Sequence, residues 1–421
     1  MAVIEPVARL RHVNEPVGAF AVEVALANFV NTYAIEGSLK LTLDAPFETS
    51  GLLQQHIDGY PAKVAMPRSA KLDYQTLLRG LSARVDATPP VANTIPDHFL
   101  WLVALGGAAL SSRATLTSGT TTVLTLGVTA ASVGITAGTA VALPTGAGGA
   151  LEARIVKETS GNTVTLKQAL SATPANGMTV YGGVTYYLDN TYTSTTQTLQ
   201  QIYEGLDNDD RWLLRGGQLA AAPTFEVTPG SIPKITWSWL HADWDYANGV
   251  NTTMNLTSAP LADQNLSEAG VNAIYDSELR LRDASTSTIG TPLDATEVSI
   301  ALNLKYAPIK TPSGLNGIRQ MIRLRPDGPP LSGEFVVPFE DTTWQDARDQ
   351  KKPFSLTYQI GMTLANGGVL IEVPHLYIDS VQREGIEGIA GWRVGWYAKR
   401  DIYTTANTSA LEKSPIRIHR F

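Results

Sequence analysis

The stretch KITWSWL, residues 234–240, alternates apolar and polar side chains, so that Trp237 and Trp239 fall on the same side of an extended chain. Alternation with a period of two is typical of a β-strand that is buried on one face. A second stretch, WRVGWYA at residues 392–398, has a similar pattern with Trp392 and Trp396. These two stretches predict a β fold in which the central buried strand occurs twice.

The sequence around the two tryptophan strands is organised in the same way. Each is the third of three strand-like runs that follow a predicted helix, and a pair of strands with a loop region precedes each helix. The runs are residues 198–205, 211–227 and 234–242 in the first set, and residues 354–362, 369–381 and 392–399 in the second. Internal repetition of this kind predicts a tandem duplication, with a first domain at 1–110 and 188–248 and a second domain at 249–421.

Each predicted domain carries one helix. In the first, residues 99–105 are almost wholly apolar, Thr94 is placed to cap the helix, and Asp97 complements the helix dipole. Gly106 and the glycine after it end this helix. In the second, Thr342 has capping-box spacing to Gln345.

A different pattern separates the two parts of the first domain. Between residues 111 and 187, short alternating runs such as TVLTL at 122–126 and TVTL at 163–166 are separated by glycine and asparagine. Five or six short strands with tight turns predict a small barrel or sandwich. Residues 111–187 are therefore predicted to be an inserted β domain, placed where a surface loop accepts extra chain at little cost.

Composition limits the kinds of partner. Only 17% of the 421 residues are charged and the formal net charge is −7, whereas proteins that grip nucleic-acid phosphates are usually basic. The chain has no cysteine, which excludes disulfides and thiolate metal sites. The first residues lack the basic and apolar regions of a signal peptide. Residues 114–151 carry no charge, but threonine, serine and glycine interrupt them, so no membrane partner is predicted.

Few residues suggest chemistry. His241 lies near Asp243 and Asp245, which is either an ion-binding cluster or a strand end that enters a polar turn. The acidic run at 207–210 lacks the later ligands of a calcium loop, and it is either an ion site or a hairpin turn. Glu384 and Glu387 have the residue type of paired catalytic carboxylates, but a glycine-rich turn between strands explains them better. We predict no catalytic, cofactor or metal site, and therefore no enzyme.

Two further features have competing interpretations. Arg319, Arg323 and Arg325 share one face at strand spacing, and this face is either a rim that pairs with acidic groups of a neighbouring subunit or a solvated strand surface. Trp237 and Trp239 either pack against the buried helix of their own domain or form a platform for a sugar. We predict the packing role for the tryptophans.

The layout as a whole resembles a known family. Residues 67–74 with the helix at 99–105, residues 331–338 leading into 339–344, and residues 354–362 with the closing strands to 400 resemble the major tail tube proteins of long-tailed phages. The resemblance implies a mainly β chain with two tail-tube-like β-sandwich domains, each with one flanking helix. The inserted β-barrel or sandwich domain resembles the domains that decorate the exterior of such tubes.

The resemblance also implies a function and partners. The chain is expected to be a structural virion protein of the tail, assembled in the host cytoplasm, whose stacked rings form the tube through which phage DNA passes during ejection. A trimer with pseudo-sixfold symmetry is expected, with a hexamer as the alternative. Further expected partners are the tape-measure protein, the tail tip and terminator proteins, and duplex DNA that passes through the lumen without specific binding. Candidate segments for contacts between rings are 54–64 and 307–317. The alternative function is a phage fibre or a carbohydrate-binding adhesive β protein.

Overall fold

The computed structural model describes most of the chain. The described residues are 9–15, 29–32, 34–35, 37–44, 47–49, 63–65, 69–81, 95, 97–146, 150–189, 198–204, 210–226, 232–248, 277–284, 291–315, 318–324, 328–338, 343–363, 367–386, 389–399 and 409–421. The predicted cap Thr94, the predicted cap Thr342 and almost all of the segment 54–64 lie outside these residues.

The described chain is mainly β, as predicted. Before the helix of the first half and directly after it, the strands are β1 (Arg9–Asn14), β2 (Val30–Thr32), β3 (Lys40–Asp44), β4 (Phe47–Thr49), β5 (Lys63–Ala65), β6 (Ser69–Leu77) and β7 (Gly106–Leu110). Within the predicted insertion they are β8 (Ala114–Gly119), β9 (Val123–Leu126), β10 (Ala140–Leu143), β11 (Glu152–Ser160), β12 (Thr163–Leu166) and β13 (Thr179–Val180). Strand β14 (Val184–Leu188) crosses the predicted end of the insertion and belongs to the sheet that flanks it, so the inserted domain ends before residue 184. After β14 come β15 (Leu199–Glu204), β16 (Asp210–Leu219), β17 (Thr224–Glu226), β18 (Lys234–His241) and β19 (Asp243–Asn248).

The remaining strands and the helices complete the described elements. The strands are β20 (Glu278–Asp283), β21 (Thr291–Pro292), β22 (Glu297–Leu302), β23 (Lys305–Leu315), β24 (Ile318–Leu324), β25 (Leu331–Val337), β26 (Phe354–Thr363), β27 (Gly367–Ile386), β28 (Ile389–Ala398) and β29 (Arg417–Arg420). The helices are α1 (His98–Leu105), α2 (Thr343–Asp349) and α3 (Ala410–Lys413), with a short 3-10 helix at Ala130–Val133. Sequence analysis missed α3.

Both halves of the chain have the same strand order. In the first half, β3, β6, β18, β16, β15 and β1 are neighbours in that order, and every pair is antiparallel. In the second half the order is β22, β25, β28, β27, β26 and β20, again antiparallel throughout. In each half the helix follows the second strand of this order, β6 or β25, along the chain. This correspondence supports the interpretation of the chain as a tandem duplication.

The core forms around the tryptophan strands because their apolar side chains share one face. Trp237 and Trp239 are each 0% exposed, and their rings stack with a centroid distance of 5.8 Å. Trp101 on α1 meets Trp237 edge-on at 5.2 Å. The predicted packing against the helix of the same half is therefore confirmed for Trp237, and Trp239 packs on Trp237. Trp344 on α2 is buried in the same way against Phe335 of β25, with ring centroids 5.3 Å apart.

The start of α1 differs from the prediction. The helix begins at His98, and Asp97 is its N-cap residue with a left-handed φ of 60°, making no side-chain capping bond. Asp97 is almost fully buried, and burial raises the pKa of its carboxyl group although Arg79 and Arg420 oppose the shift. The residue is therefore part of a buried polar group. Asp97 therefore lies at the N-cap, directly before the first turn of the helix. Gly106 ends the helix with a φ of 90°, as predicted.

The predicted insertion contains a separate small β domain, as expected. Its six strands are hydrogen-bonded in the order β10, β11, β12, β9, β8 and β13, and a bridge between Ala142 and Tyr181 nearly closes the sheet. Its interior is filled by small aliphatic side chains, which include Leu116, Leu124 and Val164. Strands β7 and β14 flank the insertion and pair with each other, from Gly106 opposite Leu188 to Leu110 opposite Val184. The two connections between the inserted domain and the first half therefore lie side by side as paired strands.

Strand β29 joins the inserted domain and both halves. It pairs with β14 on one side and with β27 on the other. Arg417 on β29 forms a fully buried ion pair with Glu372 on β27 at 2.5 Å, and Lys167 of the inserted domain lies 3.5 Å from the same carboxylate. Burial favours the protonated form of Glu372, but Arg417, Lys167 and His419 outweigh this effect and lower its pKa to about 2. These contacts fix the inserted domain against the second half.

Two predicted segments have a different structure. The alternating residues at 297–306 predict one continuous strand, but the structure divides this run into β22 and β23. The candidate contact segment 307–317 is not a loop, because its described residues belong to a β-hairpin in which β23 pairs with β24. A hairpin satisfies the backbone hydrogen bonds of a projecting segment that a loop would leave to water.

Candidate functional site

One continuous antiparallel sheet runs through both halves of the described chain. Starting from β3, it passes through β6, β18 and β17 of the first half. A single pairing, Thr224 opposite Ala301, joins β17 to β22. It continues through β25 and β28 to the second part of β27. Because side chains alternate along each strand, this sheet has one face on the core and one polar face.

The alternation is regular on the central strand. On β18, Ile235, Trp237 and Trp239 are buried, while Lys234 and Thr236 are half-buried and point to the opposite face. The same alternation holds on β28, where Trp392, Val394 and Trp396 are buried. We call the opposite surface of the sheet the polar face.

The polar face carries a small excess of negative charge. Among the residues that the strand registers place on this face, six are carboxylates and four are cationic, which is an excess of two negative charges on each chain. The carboxylates are Asp44, Asp73, Glu226, Glu297, Glu334 and Glu384, and the cationic groups are Lys40, Lys71, Lys234 and Arg393. A surface of this composition repels phosphate groups.

Arg393 is the only arginine on the polar face among the described residues, and it is surrounded by carboxylates. It donates to Glu384 at 2.6 and 2.8 Å, to Glu334 at 2.6 Å and to Glu297 at 3.3 Å. The hydrogen bond from Arg393 lowers the pKa of the Glu384 carboxyl group, and the same bond raises the pKa of Arg393. Since three carboxylates already take up its donors, Arg393 is not arranged to hold a phosphate.

A related cluster lies on the polar face of the first half. The Thr236 hydroxyl donates to Glu226 at 3.0 Å across β17 and β18, as Arg393 donates to Glu384 across β27 and β28. Gln75 on β6 also donates to Glu226, at 3.2 Å. Lys71 and Asp73 form an ion pair on this part of the face, at 3.0 Å. The polar face is therefore held together by neighbouring groups within the sheet in both halves.

The residues predicted as a candidate ion-binding cluster have structural roles. His241 is fully buried at the end of β18, and its pKa is lowered to about 3, mainly by burial. Asp243 and Asp245 lie on β19 and both form ion pairs with Arg215, the first at 2.7 Å. The predicted polar turn after His241 is wrong, because the chain continues as a strand after one residue. Two carboxylates with an arginine between them form a structural ion-pair network.

The remaining candidates fall partly outside the described residues. Of the acidic run 207–210, Asp210 begins β16 and the others are outside. Glu384 lies within β27, opposite Gly391, so its assignment to a turn is wrong, while Glu387 is outside. Arg319 and Arg323 lie on β24 and Arg325 is outside; the register skips Arg319, which places it at a bulge.

Trp237 and Trp239 cannot serve as a sugar platform because both are fully buried. An exposed aromatic group exists elsewhere, on β15, β16 and β19. Trp212 lies 5.3 Å from Tyr203 and 5.1 Å from Tyr246 between ring centroids, and Tyr246 is 44% exposed. Sequence analysis missed this group, since its members come from three strands, although the pairings of β15 and β19 with β16 place them side by side.

Comparisons with known proteins add no assignment: the chain matches no model of a protein family, and no curated protein matches its sequence. Over the described residues, no set of three or more histidine, aspartate or glutamate side chains is arranged to hold a metal ion. No described helix has both the length and the apolar character needed to cross a bilayer. The polar face of the continuous sheet is therefore the candidate functional surface of the described residues.

Proposed function

We propose that the protein is a structural subunit of a phage tail, and that its copies form stacked rings whose walls enclose a passage for duplex DNA. The observation that carries the proposal is the continuous sheet that crosses both halves of the chain. A sheet made of two equivalent parts in one chain supplies two of the six segments of a pseudo-sixfold ring, so three chains complete the wall. A closed wall has no unpaired strand edges, which removes the hazard of open-ended association.

The chemistry of the polar face suits the lining of such a passage. Its excess of carboxylates keeps phosphates from binding, and its one described arginine is neutralised by Glu297, Glu334 and Glu384. DNA can slide along the wall only if no cluster of cationic groups binds its phosphates strongly. On the opposite face, the tryptophan core and the two helices give each segment a rigid backing.

Electron microscopy of the purified protein at increasing concentration tests the proposal. Rings, or stacks of rings with a central hole, are expected, with three chains in each ring. Three chains of 45.1 kDa give a mass near 135 kDa for a single ring, which mass photometry measures independently. A protein that stays monomeric in both experiments across the accessible concentration range contradicts the proposal.

The lining role predicts a charge-dependent interaction with DNA. The double variant Glu226→Lys and Glu297→Lys changes the polar face from an excess of two carboxylates to an excess of two cations on each chain. Assembled wild-type protein is expected to release a short DNA duplex at about 50 mM salt, whereas the variant retains it and loses it as salt approaches about 200 mM. Co-sedimentation of duplex with the assemblies measures this.

The matched control for that experiment is Glu226→Gln with Glu297→Gln, which removes two negative charges without adding positive ones. It is expected to retain much less duplex than the lysine variant. If assembled wild-type protein holds duplex as strongly as the lysine variant does, the polar face is not the surface past which DNA moves.

A second candidate function, an adhesive protein that binds carbohydrate, is favoured by one observation. The side-by-side rings of Tyr203, Trp212 and Tyr246 provide a partly exposed aromatic surface of the kind that stacks on sugars. Glycan binding by the wild-type protein that is lost in Trp212→Ala, together with an absence of rings, would favour this function over the tail tube.

A further inference from the structure

The chain contains one complete example of the contact between two equivalent sheet segments. At this junction β17 of the first half lies beside β22 of the second half, with Thr224 opposite Ala301. Each partner strand is also paired within its own half, β17 with β18 and β22 with β25. The junction therefore shows how the last strand of one sheet segment, β17, pairs with the first strand of the next segment, β22.

The two halves can be matched residue by residue across their central strands. In the first half, the strand register along β18 is interrupted between two pairs of opposed residues, Leu219–Trp239 and Thr224–Thr236. In the second half, the register along β28 is interrupted between the pairs Ile378–Trp396 and Ser380–Gly395. Matching these irregularities makes Trp239 equivalent to Trp396.

Further pairs follow from the strand registers. Trp239 lies opposite Leu72 and Trp396 opposite Gly333, which makes Tyr74 equivalent to Phe335, both almost fully buried. Thr236 becomes equivalent to Arg393 and Glu226 to Glu384. The hydrogen bonds from Thr236 to Glu226 and from Arg393 to Glu384 agree with this match.

The same match identifies the two outer edges of the sheet. Thr224 corresponds to Gln382 on β27, and Ala301 corresponds to Thr42 on β3. Within the described residues, β3 pairs only with β6. Gln382 and Glu384 have β28 as their only described strand neighbour. These edges are thus equivalent to the two strands of the junction, and within the described residues neither has a partner strand at the equivalent position.

We propose that β3 of one copy pairs antiparallel with the second part of β27 of another copy, with Thr42 opposite Gln382. This pairing deepens the ring assembly of the proposed function, on which it rests, by naming the two strands and their register. It is the contact between β17 and β22 repeated between chains. Repeating it in the same direction carries the sheet onward from copy to copy.

Burial of equivalent leucines supports the pairing. Leu43 on β3 corresponds to Leu302 on β22, since the two lie opposite the equivalent residues Ala70 and Leu331. Leu302, whose strand has neighbours on both sides, is 0% exposed, whereas Leu43 is 37% exposed and belongs to the few exposed large apolar residues of the described chain. A second copy in the proposed register covers Leu43.

Two of the residue pairs that the register brings together are complementary. Leu43 falls opposite Val381, a partly buried apolar residue on the core face. Lys40 falls opposite Glu384 on the polar face, which pairs opposite charges. Directly opposed residues in antiparallel strands have Cβ atoms about 4.5–5.5 Å apart, so such pairs contribute to stability.

Disulfide cross-linking tests the register directly because the chain has no cysteine of its own. The variants Thr42→Cys and Gln382→Cys are prepared separately and mixed under mild oxidation. Opposed positions of an antiparallel pair meet the Cα separation of a disulfide, so a two-chain product is expected in the mixture and in neither variant alone. The double variant Thr42→Cys with Gln382→Cys is expected to give cross-linked products of up to three chains, which reductant dissolves.

The matched control uses the same strands out of register. Asp44→Cys mixed with Glu384→Cys places the two thiols four residues apart along the strands, which is beyond disulfide reach. At least tenfold more product from the Thr42–Gln382 pair than from this control is expected.

Electron microscopy of the same samples separates the two proposals. Rings with no excess of the Thr42–Gln382 product overturn the strand pairing while the tube function stands. Cross-linked dimers that never form rings support the pairing and contradict the tube. Monomers without a cross-link contradict both.

Discussion

Acidification from pH 6.5 to about pH 4.5 is expected to remove most of the stability of the fold, because four histidines are buried in their neutral form. Burial is the main cause that lowers the pKa of His12, His241 and His419 to about 3 and that of His98 to about 4. In the unfolded chain these rings bind protons near their ordinary pKa of 6.5. Below that pH the unfolded state therefore holds more protons than the folded state.

The sign and size follow from proton linkage. Because the folded pKa is lowered, the free energy of unfolding falls as pH falls below 6.5, by about 1.4 kcal/mol per pH unit for each histidine, and it levels off only near the folded pKa. Four groups acting together give a slope of about 5 kcal/mol per pH unit as an upper value. Urea unfolding at pH 7.5, 6.0 and 5.0, followed by tryptophan fluorescence, measures the slope.

His98→Gln is the variant that isolates one group. The Nδ1 atom of His98 lies 3.0 Å from the Tyr186 hydroxyl oxygen, and a glutamine amide can keep a hydrogen bond there without titrating. The variant is expected to reduce the slope by about 1.4 kcal/mol per pH unit. Glu372 does not interfere in this range. Its lowered pKa of about 2 means that its contribution is present above its ordinary pKa of 4.5 and is lost only as pH falls from there towards 2. A free energy of unfolding that stays constant between pH 7 and pH 5 would contradict the prediction.

Replacement of Trp237 by alanine is expected to lower the free energy of unfolding by about 3–5 kcal/mol. The indole is fully buried, donates from Nε1 to the Thr76 hydroxyl at 2.9 Å, and contacts Trp101 and Trp239. Alanine leaves a large cavity at the centre of the first half, which the surrounding sheet and helix α1 cannot fill. Chemical unfolding of the purified variant, compared with the wild-type protein at neutral pH, measures the change.

Trp212→Ala is the matched control, since it removes the same side chain from a half-exposed position on β16. It is expected to cost clearly less than Trp237→Ala, because less apolar area returns to water and no enclosed cavity forms. Equal losses for the two variants would mean that the tryptophan strand is not the centre of the core. The comparison also separates functions, since a carbohydrate binder depends on Trp212 and not on the buried Trp237.

Local sequence patterns predicted the parts of the fold that depend on near neighbours. The alternation around Trp237 and Trp396 identified the central strands. The apolar run at 99–105 located α1, and the glycine-separated runs of 111–187 located the six-stranded domain. These predictions succeeded because a side chain's position in a strand or helix is set by its spacing to residues a few positions away. The register of strands, the cap of α1 and the division of 297–306 did not follow from spacing.

The candidate site was harder to predict than the fold. Lys71, Glu226 and Arg393 are ordinary polar residues of alternating strands, and nothing in the sequence indicates that they share one face. They do so because β6, β18, β17 and β28 belong to one sheet whose pairings join residues far apart along the chain. The sequence pattern instead pointed to His241 and the acidic residues after it, because histidine and aspartate close together are typical of ion-binding sites. In the structure His241 is buried, and the aspartates form ion pairs with Arg215.

By itself, the sequence determined that this protein is a β structure with a repeated tryptophan strand and a small inserted domain, because periodicity and turn residues act locally. Only the tertiary structure decided that β29 joins the inserted domain to both halves and that Arg417 and Glu372 are buried together. It also decided that the sheet ends, within the described residues, in two edges that correspond to its own internal junction. These features come from contacts between residues more than forty positions apart, and such contacts leave no periodic pattern along the chain from which they could be inferred.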